Sequence, residues 1–199
     1  MSPIVRAFFD RPTGSLQYVF HCPKTKTAAI VDPVWNFYPE AGAVTTESAD
    51  EILAYVENEA LEVAWVLDTH PHADHFSAAP YLSARLGAPT AIGEKVTGVQ
   101  KLWKDLYHLG ADFPTDGSQW DHPFAEGDEF MVGEIAVRVM FSPGHTLGAL
   151  QVNIRGGRLP EAEAGQDGRG AERPQAGVVL AADGARCAGC DDRASGARA

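Results

Sequence analysis

Apolar residues follow two rhythms along this chain. Leu16, Tyr18 and Phe20 alternate with Gln17 and His21, the period of a half-buried strand. Pro23-Lys24-Thr25-Lys26 reads as a turn and Ala28-Ala29-Ile30-Val31 as the partner strand, ending at Asp32-Pro33. The chain is therefore expected to open with a β-hairpin. Ser48-Ala49-Asp50-Glu51 has the form of a capping box, and Ile52, Tyr55, Val56 and Ala60 follow at helical spacing. Val63 to Leu67 is an unbroken apolar run, the mark of a buried strand. Phe76 to Leu86 reads as a helix stopped by Gly87, with Pro80 requiring a late start.

Thr90-Ala91-Ile92 predicts a short strand, and Val99, Leu102, Trp103, Leu106 and Leu109 form a helical stripe. Phe124 to Met140 returns to a strand pattern, with hairpin turns expected at Gly127-Asp128 and Gly133-Glu134. Ile135, Val137, Val139 and Phe141 alternate, as do Leu150, Val152 and Ile154. Strands interleaved with helices predict an α/β or α+β fold. After Ile154 the pattern stops. Ala, Gly and Arg fill 27 of the 45 residues from 155 to 199, and aromatic residues, His, Lys, Ile and Met are absent. Only Val178 to Ala182 could form a strand there. Such a segment buries little apolar surface, so the expected division is a domain over 1–154 and a disordered or non-native tail over 155–199.

Length and charge narrow the function. A chain of 199 residues with 45% hydrophobic residues fits one domain plus a tail. A net charge of −11 argues against nucleic acid and favours a small-molecule partner. No leader-like N-terminus and no membrane-length apolar run is present. Three cysteines, Cys22, Cys187 and Cys190, make no disulfide framework. The expected location is the cytoplasm. Cys187 and Cys190 have C-x-x-C spacing, but one such pair in this tail reads as incidental thiols.

Chemistry concentrates in Thr69-His70-Pro71-His72-Ala73-Asp74-His75, directly after the buried strand. Imidazole and carboxylate are the donors that first-row transition metals take up, and a strand end places several of them at one sheet edge. Ser142-Pro143-Gly144-His145-Thr146 breaks a later strand sharply and presents His145 as a donor from a second loop. His108 and His122 lie outside these motifs and are expected at the surface.

These two motifs, with the hairpin ending Ile30-Val31-Asp32-Pro33, resemble the metallo-β-lactamase superfamily over residues 1–154. The resemblance implies an αββα sandwich with metal at the sheet edge. The wording His-Pro-His-Ala-Asp-His-Phe-Ser-Ala-Ala is similar to the persulfide dioxygenases. The glyoxalase II branch usually follows its Asp-His with a Gly pair, whereas His75 here precedes Phe76-Ser77-Ala78-Ala79.

The dioxygenase resemblance implies one Fe(II) per chain, with Zn the alternative metal. His70 and His145 would be ligands, while His72, Asp74 and His75 would orient them and handle protons. The substrates would be glutathione persulfide and O₂, and the products sulfite and glutathione. The hydrolase resemblance implies that His70, His72 and His145 hold a first metal and Asp74 and His75 a second, for thioester cleavage.

Both patterns include one more carboxylate, after an apolar strand ending in Gly-Asp. Asp183, after Val178 to Ala182, is a weak candidate because it stands too far from His145. No histidine follows His145, so a complete second metal site is not expected. The lost motifs and the Ala/Gly/Arg excess suggest a shifted reading frame, which would leave the C-terminal half of the sandwich incomplete. An apolar strand ending in Gly-Asp, followed by a histidine, is expected in another frame downstream of Ile154.

Overall fold

The structure is a computed structural model that describes residues 2–71, 76–142, 149–154 and 178–180. A meander comes first: β1 (Ile4–Asp10), β2 (Ser15–His21) and β3 (Thr27–Val31) pair antiparallel in sequence order. The expected hairpin is its second half. The additional strand, β1, leaves β2 with neighbours on both sides, and both faces of β2 are covered. Gln17 and His21, expected to face solvent, are therefore each 1% exposed. Gln17 Oε1 accepts the Val34 N–H at 2.9 Å, which satisfies it.

His21 has no hydrogen-bond partner among the described residues. Burial lowers its pKa below 6.5 and nearby Lys26 lowers it further; the Cys22 main chain and the Glu59 charge offset this only in part. The unfolded chain then takes up this proton at a higher pH than the folded one. The His21 contribution is complete above pH 6.5 and declines as pH falls through that value. Urea midpoints should fall between pH 7.5 and 5.5, and His21→Leu should flatten that slope; an unchanged slope refutes the assignment.

After β3 come a small hairpin, β4 (Asn36–Tyr38) and β5 (Ala43–Thr45), and then α1 (Glu47–Asn58). The helix begins one residue before the expected cap. Asn36 Oδ1 takes the Ser48 N–H at 2.8 Å, and the Ser48 hydroxyl turns to Asp10 Oδ1 at 3.1 Å. A donor left over at the helix start is thus satisfied from β4 instead of from a local capping box. Next come β6 (Glu62–Leu67), α2 (Ala79–Leu86), β7 (Thr90–Gly93), α3 (Val96–Leu106) and β8 (His122–Phe124). Helix α2 starts late, as Pro80 requires, and Gly87 closes it at φ 68°.

The six-stranded sheet runs β1-β2-β3-β6-β7-β8, with β3, β6, β7 and β8 parallel. The second sheet contains β9 (Glu129–Val132), β10 (Ile135–Phe141), β11 (Leu150–Ile154) and β12 (Val178–Leu180). Gly133-Glu134 turns the β9–β10 hairpin as expected. Gly127-Asp128 instead lies on the crossover between sheets, since β8 belongs to the first and β9 to the second. Strand β12 falls within the strand-like stretch of the tail and pairs with β11. The remaining expectations for 155–199, including Asp183, Cys187 and Cys190, concern positions outside the described residues.

Two apolar cores define the layers. Phe20, Ala29, Val31 and Leu67 from the first sheet meet Val132, Val137, Val139, Leu150, Val152 and Ile154 from the second. On the opposite face of the first sheet, Val19, Ala28, Ile30 and Val66 pack on Ile52 and Val56 of α1 and on Ala79 and Leu82 of α2. The order is helix, sheet, sheet. Helix α3 departs from its expected stripe: Leu102 and Leu106 are exposed, while Val96, Val99 and Gln100 face inward. Gln100 serves the following loop, with Oε1 accepting Gly117 N–H at 3.0 Å and Nε2 donating to Gln119 Oε1 at 2.6 Å. His108 and His122 are exposed, as expected. Among the described residues no helix is long and apolar enough to cross a membrane.

Candidate metal centre

Four parallel strands end at one edge, and the motif starts there. Strand β6 stops at Leu67 and the chain runs on through Asp68, Thr69 and His70, all about 2% exposed or less. Asp32 stands at the matching end of β3, its N–H bonded to the Leu67 carbonyl at 2.8 Å. It adopts φ 50°, left-handed backbone that Asp tolerates better than most residues.

That conformation places the Asp32 carboxylate against Thr69. Oδ1 accepts the Thr69 N–H and Oδ2 the Thr69 hydroxyl, each at 2.7 Å. The hydroxyl has a single proton, given to Asp32. Its 3.0 Å contact with His70 Nδ1 must then be one in which Nδ1–H donates. The network assigns His70 the Nδ1–H tautomer and leaves the lone pair on Nε2. A metal-binding imidazole is commonly held in this way, one nitrogen steered by an outer carboxylate and the other presented as the donor.

Main-chain bonds fix the exit of the motif loop to the short segment that follows Asp32. Trp35 N–H bonds to Phe76 O at 2.9 Å, Ala78 N–H to Pro33 O at 2.8 Å, and Val34 bridges Ser77. The second motif starts beside the first. Leu150 N–H donates to Thr69 O at 2.8 Å, and Ser142 N–H to Ala149 O at 2.9 Å, joining the two residues that flank the segment with His145. The structure thus brings together the roots of the two loops. His70 is described in full; His72, Asp74, His75 and His145 lie outside the described residues. The donor chemistry at His70 fits a transition metal.

Reading the residues as motifs singled out Thr69 and Asp32 as parts of patterns without giving them a task. It passed over Asp68, Ser77 and Trp120 as site residues. Asp68 accepts from Ser77 Oγ and Trp120 Nε1, each at 2.8 Å. The available signal was an acidic residue directly before the histidine loop; its partner Trp120 is distant in sequence.

Helices on a two-sheet sandwich, with a histidine loop at the carboxyl edge of parallel strands, define a class of metal-dependent proteins. The chain belongs to the Metallo-beta-lactamase superfamily, whose family model matches residues 11–159. It is 59% identical over 149 residues to the "Beta-lactamase hydrolase-like protein" of Xylella fastidiosa, covering 75% of this chain and 34% of that one. It is 41% identical over 143 residues to "Glyoxylase B2" of Dictyostelium discoideum, covering 71% of this chain and 49% of the relative. To "Persulfide dioxygenase ETHE1, mitochondrial" of Bos taurus it is 22% identical over 147 residues, covering 74% and 46%. The crystal structure of ETHE1 from Myxococcus xanthus superposes with a TM-score of 0.56 at 25% identity, covering 76% of this chain and 53% of that one. The chain thus spans about a third to a half of the length of these curated relatives.

Proposed function

We propose that this chain is a metal-dependent enzyme acting at the sulfur of a glutathione-linked small molecule, with persulfide oxygenation as its reaction. The observation that carries the metal reading is the Asp32–Thr69–His70 relay, which presents His70 Nε2 as a donor. His70 and His145 would hold the metal, with His72 beside them and as a third ligand in the hydrolase reading. Asp74 and His75 would position substrate and move protons, and the working unit would be residues 1–154. When bound, Fe(II) supplies the redox centre that oxygenation needs, and Zn(II) would supply a Lewis acid. In the overall balance, glutathione persulfide, O₂ and water give glutathione and sulfite.

The sulfur chemistry is supported by the His75-Phe76-Ser77-Ala78-Ala79 wording and by the ETHE1 relatives. The described part of the site excludes bulk water from His70 through burial and fixes its ring through Thr69.

A second reading, thioester hydrolysis, draws support from the relatives named as a hydrolase-like protein and a glyoxylase. Metal analysis and turnover of the purified chain separate the two. One iron with persulfide-dependent O₂ uptake is the expected result. Two metals with thioester cleavage favour the hydrolase, and stoichiometric metal with neither turnover indicates an inactive metal-binding protein.

A further inference from the structure

The loop from Thr69 to Phe76 is flanked by Asp68 and Ser77, and these two side chains meet. Asp68 Oδ1 accepts the Ser77 hydroxyl at 2.8 Å. Ser77 Oγ in turn accepts the Ala79 N–H at 3.1 Å, at the start of α2. The second oxygen, Oδ2, accepts Trp120 Nε1–H at 2.8 Å. Trp120 stands on a fixed post. Gln100 of α3 holds Gly117 and Gln119, and Asp121 accepts both the N–H and the hydroxyl of Thr90 on β7, at 2.8 and 2.9 Å. Asp68 is itself pinned through its N–H to the Ala91 carbonyl at 2.9 Å and is 2% exposed.

We propose that Asp68 is a positioning residue for the metal-binding loop: its carboxylate closes the loop through Ser77 and moors it to Trp120. This rests on the reading of that loop as a metal site. The physical argument concerns the preorganisation of ligands. A loop that contributes several donors to one ion binds tightly only when its ends are held in register, because ordering it otherwise falls to the metal. Main-chain bonds to residues 33–35 fix the exit of the loop, and Asp32 fixes Thr69. The Asp68 side chain links entry directly to exit. A carboxylate suits the task because two donors arrive at its two oxygens. Asparagine can keep both links by accepting from Trp120 and donating to Ser77 Oγ; alanine keeps neither.

The test uses the full chain in two measurements. Amide hydrogen exchange without metal reads the loop ends directly. In Asp68→Ala the amides of Thr69, His70, Phe76 and Ala78 should exchange at least about tenfold faster, while those of α1 and of β9–β10 stay unchanged. Titration with Fe(II) or Zn(II) salts, under anaerobic conditions, reads the consequence. Asp68→Ala should weaken binding about 10–100-fold, as loss of an outer partner of a metal ligand does, and Asp68→Asn should recover most of it. Ser77→Ala removes the cross-loop bond, together with the Ala79 N–H bond at the start of α2, but spares the Trp120 bond; it should show the same acceleration at Thr69 and His70, which keeps the test open if Asp68→Ala does not fold. Unchanged exchange at the loop ends in both variants overturns the clamp. Faster exchange with wild-type metal affinity overturns its role in positioning the ligands. A wild-type chain that binds no metal is instead a failure of the metal reading, and the exchange pattern then decides the clamp by itself.

Discussion

His70→Ala should leave the purified chain without stoichiometric metal. His70 is buried, its Nδ1–H is bound to Thr69, and its Nε2 lone pair is set by that bond. Alanine removes a donor for which no neighbouring described residue can substitute. The variant should still fold, because neither apolar core includes His70. Far-UV circular dichroism and urea unfolding check the fold, and elemental analysis checks the metal. A folded His70→Ala chain that retains one equivalent of iron or zinc would refute the ligand assignment.

The second large effect is expected at Asp32, on both stability and metal. Asp32→Ala strands two buried donors, the Thr69 N–H and hydroxyl, each of which costs about 1–3 kcal/mol when unsatisfied. Alanine also tolerates the left-handed backbone at φ 50° less well than Asp. A loss of about 2–5 kcal/mol should appear in urea unfolding, a large share of the stability of a domain this size. Asp32→Asn separates the two roles. Its oxygen can keep the Thr69 N–H, while its NH₂ faces the Thr69 hydroxyl as a donor, so the hydroxyl is released from its donating role and the His70 tautomer is no longer imposed. Metal affinity should fall about 10–100-fold with a smaller stability loss. If Asp32→Asn binds metal as the parent does, the relay does not set the tautomer.

Alternation located most of the sheet. Leu16 to Phe20, Ile135 to Phe141 and Leu150 to Ile154 all lie in strands, and so does the unbroken apolar run Val63 to Leu67. Strand β1 was not legible because Ile4, Arg6 and Phe9 are exposed along an outer strand, so its pattern lacks a clean apolar face. The inward turn of Gln17 and His21 was hidden for a related reason: a polar residue reads as outward until the strand is known to have neighbours on both sides and layers on both faces. The α3 stripe misled because helical spacing shows that apolar residues share a face but not that the face is covered. Around the candidate metal site the sequence pointed to the end of β6, where His70 lies; the other proposed donors lie outside the described residues. The groups that orient this loop were not legible, because Asp32, Asp68 and Trp120 reach it only through strand pairing and layer packing.

The bond from Leu150 N–H to Thr69 O has a mechanical consequence. It joins the first sheet to the second at the point where both histidine loops begin. An ion held by His70 and His145 would therefore act as a rivet between the layers as well as a reaction centre. Its binding energy would add to the cohesion of the sandwich, by an amount that grows with the logarithm of free metal concentration. Chelation should then loosen the stacking of the sheets, and the apparent melting temperature should depend on how much metal is in the buffer.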